Sequence, residues 1–334
     1  MATPRSSRAF LGFASARAAA LAVALLAAPV LHAQTTYYWD NNGGTAGFGT
    51  ATGTWAAPTT NNSTQGWSTD STGSTLPSGT TNTTTSDALN FGTASAGLAA
   101  GTITVSGTVN ANSLTFGSAS GNITLSGGTI TLGGTTPTIT VNNTDDTISS
   151  VLAGSAGLTK NGTGTLTLST AANTYSGGTT VNQGTLNLSG VLNSSSITIG
   201  SGASFLISAG AYNRLNQATM ITVNGGTFGN SAAGTGGIAT SLNGTINLNS
   251  GNMTGNGEGD QYGAFAANGL TINATGASVI TAAIGGTGLI LNPIGSSDVL
   301  NVSGKLKMAG YLTKNGTGNL TLSGNNTYTG TTTI

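Results

Sequence analysis

The sequence predicts an all-β solenoid in which short strands stack coil upon coil as a parallel β-helix, and three observations carry that prediction. The first is a long-range repeat. Leu158-Thr-Lys160-Asn-Gly162-Thr-Gly164-Thr-Leu166-Thr-Leu168 returns as Leu312-Thr-Lys314-Asn-Gly316-Thr-Gly318-Asn-Leu320-Thr-Leu322, with Thr165 against Asn319 the single difference. One supersecondary unit used more than once is the mark of a stacked array. The second is a recurring apolar–polar–apolar triplet, as in Ile103-Thr-Val105, Ile123-Thr-Leu125, Ile130-Thr-Leu132, Ile139-Thr-Val141, Leu186-Asn-Leu188 and Ile197-Thr-Ile199. Period two with β-branched residues is the strand pattern, both apolar side chains facing one way and the Thr or Asn the other. The third is the 54 glycines, gathered in Ser-Gly, Asn-Gly and Thr-Gly pairs that supply the positive φ of tight corners between strands.

The first segment, residues 1–33, has the features of a secretory signal peptide. Arg5, Arg8 and Arg17 make a positive leader, Ala18 to Val30 is an apolar run too short for a membrane span, and Leu31-His32-Ala33 offers a cleavage site before Gln34. The arginines are not adjacent, so a general secretory route is expected. No membrane span is expected in the mature chain.

Residues 34–100 come next and differ in composition. They hold Trp39, Trp55 and Trp67, the Tyr37-Tyr38 pair and a Thr/Asn/Ser-rich stretch at 61–86. A solenoid needs its first coil covered, and bulky aromatics suit that role; the other reading is a carbohydrate-stacking platform built on the same ring faces. Residues 101–334 then form the regular solenoid. Strands of three to five residues at spacings near ten, and roughly 20–25 residues per coil, give on the order of ten coils.

Composition excludes much chemistry. The chain has no cysteine and its single histidine, His32, lies in the leader, so the mature chain lacks the side chains for Ser-His-Asp or Cys-His catalysis and for His/Cys metal sites. Beyond residue 33 there are five basic residues (Lys160, Arg214, Lys305, Lys307, Lys314) against eight acidic ones, a net charge of −3. Five scattered cations cannot neutralise a row of phosphates, so nucleic acid is not an expected partner. Gly-x-Gly sequences are frequent but none opens a helix, so nucleotide binding is not read from them.

Assembled over residues 157–188, the repeat with its Tyr175-Ser-Gly177 corner and the following Gly184-Thr-Leu186 resembles the autotransporter-associated β-strand repeat, also called the passenger-associated transport repeat; residues 311–334 give a second copy with Tyr328-Thr-Gly330. The resemblance implies a right-handed parallel β-helix, exported and displayed on or released from a bacterial surface. The second copy stops at Ile334 inside the pattern, with no outer-membrane barrel strands or sorting signal after it, so the chain is expected to be a truncated or fragment form with a fraying, self-associating end.

Candidate sites are few. Asp145-Asp146 reads as a solvated turn or a weak calcium ligand; strand neighbours point to opposite faces and cannot act as paired carboxylates. Glu258 and Asp260, in Gly255-Asn-Gly-Glu258-Gly-Asp260, read as a flexible loop or a second weak calcium ligand. Lys305 and Lys307 share a strand face and read as guards against edge pairing. Lys160 and Lys314 hold the same place in both copies, where an ammonium can cap carbonyls or lie over aliphatics. No catalytic, cofactor or metal residue is assigned. The expected function is that of a non-catalytic exported passenger or surface protein, structural or adhesin-like, with an extracellular carbohydrate or a host-surface ligand and the export machinery as partners. The alternative is a carbohydrate-active β-helix enzyme or carbohydrate-binding module.

Overall fold

The computed structural model describes residues 34–62, 65–75, 78–170, 172–208, 214–215, 219–232, 240–255 and 264–334. The expected signal peptide with His32, and the Glu258/Asp260 loop, lie outside the described residues. Among the described residues there is no helix, and none therefore long and apolar enough to cross a membrane.

Two long sheets run the length of the solenoid. One has 15 strands and passes from Gly66–Ser68 and Thr36–Asp40 through Ala88–Phe91, Ser113–Phe116, Thr138–Val141, Leu158–Asn161, Thr179–Val181 and Ser196–Ile199 to Leu306–Lys314 and Thr332–Thr333. The other has 12 and includes Thr54–Trp55, Gly101–Val105, Ile123–Ser126, Asp145–Ile148, Thr165–Leu168, Thr185–Leu188, Ser204–Ile207, Val299–Val302 and Asn319–Leu322. A third sheet of three strands, Thr108–Ala111, Thr129–Leu132 and Val151–Ala153, closes the early coils. Further along, among the described residues, that side is held by the bridges Asn173↔Leu192 and Leu192↔Leu215 and then by Thr240–Leu242 pairing with residues 265–267.

Pairing from coil to coil is parallel and sets like on like, as a solenoid requires. Leu166 pairs with Leu186 and Leu168 with Leu188, twenty positions on; Phe205 and Ile207 lie on the next strand. All six of these side chains are fully buried, so the register read from the triplets is the register of the fold. Outward positions stack as well. Amide ladders run from coil to coil: Asn273 Nδ2 donates to Asn247 Oδ1 (2.9 Å), Asn292 Nδ2 to Asn273 Oδ1 (2.8 Å) and Asn249 Nδ2 to Asn224 Oδ1 (2.7 Å).

The repeat's glycines are needed where corners nest. Gly162 has φ +76, and a Cβ there would meet the Val141 carbonyl oxygen of the coil before at 2.2 Å; at Gly164 a Cβ would meet the Asn143 carbonyl oxygen at 2.0 Å. Any side chain at either place would push two coils apart.

Strand length departs from expectation near the end of the chain. Phe265–Thr275, Ile284–Pro293 and Leu306–Lys314 run for 11, 10 and 9 residues in place of three to five. Glycines there bend a strand without ending it. Register shifts bracket Asn268 and lie between Gly286 and Gly288, and Gly269 and Gly286 have φ of +77 and +115. Two sides of a coil thus merge into one bulged strand.

At the N-terminal end, Thr36–Asp40 lies parallel to Ala88–Phe91 and antiparallel to Gly66–Ser68, which turns the sheet edge away from further parallel addition. Trp39, Trp55 and Trp67 are all fully buried. Trp67 meets Trp39 edge-on at 5.0 Å and Trp55 at 5.4 Å, and lies 5.7 Å from Phe91, which stacks on Phe116 at 5.1 Å. The aromatic residues plug the first coil and continue into the aliphatic columns. Their buried faces rule out the stacking-platform reading for these three tryptophans.

Candidate functional site

The polar feature that the repeat builds is inside the solenoid, at the corner joining the two long sheets. Alternation places Lys160 on the same side of its strand as Leu158, in a column between Ile139 and Val181. The side chain is fully buried. Its Nζ donates to the carbonyl oxygens of Asn161 (3.0 Å), Gly162 (2.8 Å) and, in the next coil, Gln183 (3.1 Å). Three oxygens replace water around the ammonium, which is how a buried lysine stays tolerable. Burial still lowers its pKa from 10.5 to about 8, while Asp146 nearby acts in the opposite sense.

Asp146 is the acidic counterpart, and its place corrects the turn reading. Asp145–Ile148 is a strand. Asp145 faces out and is exposed, but Asp146 faces in, below Leu166 in the column, and is only 2% exposed. Its Oδ1 accepts from the backbone N–H of Ile123 (2.8 Å) and from Asn143 Nδ2 (3.0 Å), and Asn143 Nδ2 also donates to the carbonyl of Gly121 (2.9 Å). Burial raises the Asp146 pKa from 3.8 to about 6; the bonds from Asn143 and Ile123 and the Lys160 charge only partly offset it, and Asp145 adds to the rise.

These contacts form one connected device. Asp146 and Asn143 tie their coil to the one before, and Lys160 ties its coil to the one after. The two charges, on adjacent coils, face the same interior. The Asp146 carboxylate and the Lys160 ammonium are sealed from solvent, and the second carboxylate, Asp145, is on the opposite face.

Lys314 repeats the capping of Lys160 in the second copy, with Nζ donating to the Gly316 carbonyl at 2.7 Å, but it is half-exposed. The corner tyrosine also recurs. Tyr175 is fully buried, its hydroxyl 2.7 Å from Thr179 Oγ1, which donates to Ser194 Oγ at 3.0 Å; burial raises its pKa. In the second copy Thr332 Oγ1 donates to Tyr328 at 3.1 Å.

On the outside of the same corner lies an open groove of about 500 Å³, lined almost wholly by polar groups that include Ser118, Asn142, Asp145 and Thr165. It has one carboxylate and no aromatic floor. Among the described residues no group of three or more His, Cys, Asp or Glu comes together to hold a metal ion. Lys305 and Lys307 flank Leu306 on the outward face, but not at an open edge. The carbonyls of Leu306 and Met308 accept from the N–H groups of Thr327 and Thr329 in the following coil, so guarding against edge pairing is not their role.

Two comparisons with known proteins bear on this site. The family model described as the passenger-associated-transport-repeat matches residues 158–188 and 312–334, the two segments that carry Lys160, Tyr175, Lys314 and Tyr328. A protein of Brucella suis biovar 1 (strain 1330), named adhesin BmaC autotransporter, is 40% identical over 178 residues. That match covers 53% of this chain and 5% of the adhesin, so the chain spans a small part of the relative's length. No solved structure matches.

Proposed function

We propose that this chain, which carries two passenger-associated transport repeats, is a non-catalytic stretch of an exported bacterial passenger whose solenoid serves as an adhesin-like scaffold at the cell surface. The observation that carries the proposal is the 40% identity with the autotransporter adhesin, met by a fold of stacked parallel coils. The arrangement of charge supports the non-catalytic part. Lys160 is buried and spent on carbonyls, Asp146 is buried with Oδ1 held by the Ile123 N–H and Asn143 while its Oδ2 has no partner among the described residues, and Asp145 stands outside. Export by the leader at residues 1–33, release or display outside the cell, and an extracellular carbohydrate or host-surface ligand complete the reading. Solubility without charge fits display in salt-rich surroundings, because Thr hydroxyls and Asn amides on the outer faces are not screened by ions as charges are.

The test is display. Bacteria carrying the chain fused to a heterologous outer-membrane barrel are expected to expose it to antibody and to bind immobilised extracellular-matrix material and host cells above the barrel-only control. Surface exposure without any gain in attachment would leave a scaffold and remove the adhesin. Release of reducing ends from a polysaccharide by the purified chain would replace the proposal with the carbohydrate-active reading.

A further inference from the structure

Residues 34–159 contain no Lys, Arg or His, yet they hold five aspartates. Two of those in the N-terminal plug, Asp40 and Asp87, are buried, 0% and 4% exposed. Asp87 is saturated: its Oδ1 accepts from Thr35 N (3.1 Å), and its Oδ2 accepts from Thr84 N (2.7 Å) and Thr84 Oγ1 (2.8 Å). Asp40 is not. Its Oδ1 accepts one bond, from Asn42 N at 3.0 Å, and its Oδ2 is buried with no partner among the described residues. In the same turn Asn42 Oδ1 is also buried without a partner.

The surroundings make the deficit worse. Burial raises the Asp40 pKa, and the negative charge of Asp70 raises it further. Asp70 is itself held in place by Thr72 N (2.9 Å), Thr72 Oγ1 (2.7 Å), Ser74 N (3.0 Å) and Thr75 Oγ1 (3.0 Å). Its turn is fastened to the Asp40 loop by Gly47 N donating to the Thr72 carbonyl at 2.9 Å. An ionised carboxylate in such a place needs a positive partner or a proton. The nearest stretch of sequence offers no basic side chain. A buried unpartnered carboxylate oxygen and a buried unpartnered amide oxygen two residues on, in the field of a second carboxylate, are hard donors that suit an oxygen-seeking divalent cation.

We propose that the turn after the first strand binds calcium through Asp40 Oδ2 and Asn42 Oδ1, with backbone carbonyls and water completing the shell and Asp70, its own oxygens engaged within its turn, adding negative charge from outside it. The ion would fasten the 41–48 loop and the 70–75 turn over the aromatic plug. The competing occupant is a proton, which leaves Asp40 neutral with its Oδ2 hydroxyl donating to Asn42 Oδ1.

Terbium luminescence excited through the tryptophans separates the two, because Trp39 adjoins Asp40 and touches Trp67. The full chain at pH 7.5 is expected to give a saturable terbium signal that calcium displaces, and to melt several degrees higher in calcium than in EDTA. Asp40→Asn should abolish both effects, Asn42→Ala should weaken terbium binding at least tenfold, and Asp145→Asn should change neither. If Asp40→Asn fails to fold by circular dichroism, Asn42→Ala decides alone. No saturable signal, a signal that survives Asp40→Asn, terbium binding undiminished in Asn42→Ala, or a melt that ignores calcium but rises between pH 7 and pH 5 only when Asp40 is present overturns the proposal.

Discussion

The two copies of the repeat are nearly one sequence in two environments. In the first, Thr165–Leu168 lies between Asp145–Ile148 and Thr185–Leu188, and Leu166, Leu168, Lys160 and Tyr175 are fully buried. In the second, Asn319–Leu322 pairs with Val299–Val302 on one side, and Leu320, Leu322, Lys314 and Tyr328 are only partly buried. The same leucines, lysine and tyrosine are core in one copy and half-surface in the other. Burial in this fold is therefore a property of neighbours along the stack. Local sequence chooses which face points inward; the coils above and below decide how dry that face becomes.

The contrast can be broken most forcefully at the leucines. Leu168→Asp places an unpaired charge in a closed column and is expected to cost about 4 kcal/mol or more, read as a large shift in a denaturant midpoint. Leu322→Asp should cost less than about 1 kcal/mol, since its charge reaches water. Equal losses at the two positions would show that burial is set by the repeat alone. Next in size are the lysines. Lys160→Ala leaves three carbonyls and the Asp146 carboxylate without their cation and is expected to cost about 2–4 kcal/mol. Lys314→Ala should stay within about 0.5 kcal/mol.

A pH series sharpens the same point without relying on truncation. The folded state raises the pKa of Asp146 to about 6 from 3.8, so the fold holds that proton more tightly than the unfolded chain does. The stability this group contributes is present below about pH 4 and is lost as pH rises through 6. Lys160, lowered to about 8 from 10.5, binds its proton less tightly in the fold, so stability recovers as pH climbs from about 8 towards 10.5. Unfolding free energy should therefore show a shallow minimum between these limbs, on the order of 1–3 kcal/mol deep. Asp146→Asn should shrink the acid limb to the part that buried Asp40 contributes and Lys160→Met should remove the alkaline one; a profile unchanged in either variant would mean that other groups set it. The smallest effect is at the tyrosines. Tyr175→Phe is expected to cost about 1 kcal/mol by removing the hydroxyl that meets Thr179, and Tyr328→Phe close to nothing, by thermal melts of both variants.

The columns were legible in the sequence because period two is a local rule. Leu166-Thr-Leu168 and Leu186-Asn-Leu188 could face only one way once a buried face was assumed. Asp146 was legible by the same rule, since it shares a face with Ile148. An adjacent acidic pair also fits a solvated turn, and alternation alone does not decide between the two. What no local pattern carried was the rescue from other coils: the bond from the Ile123 N–H, 23 positions back, and the facing of Lys160 from the neighbouring coil; only the Asn143 bond, three positions away, is local. The long bulged strands were hidden for a related reason. Gly269 and Gly286 look like corners in the sequence, and only pairing with the adjacent coil shows that the strand continues through them. Asp40 and Asn42 have no sequence signature, because the lack of partners for two oxygens is set by the fold around them.

The direction of the hydrogen bonds has a mechanical consequence. They run from coil to coil, along the stacking axis, at about 4.8 Å per step. A pull along that axis loads each interface in series, so the outermost coil detaches while those behind it stay folded. Each detachment releases roughly 20 residues, on the order of 70 Å of extended chain, in exchange for one coil's height. Under tension such a molecule releases chain in steps, and the stretch from Asn143 to Lys160, tied backward through Asp146 and Asn143 and forward through Lys160, is where the unwinding should stall.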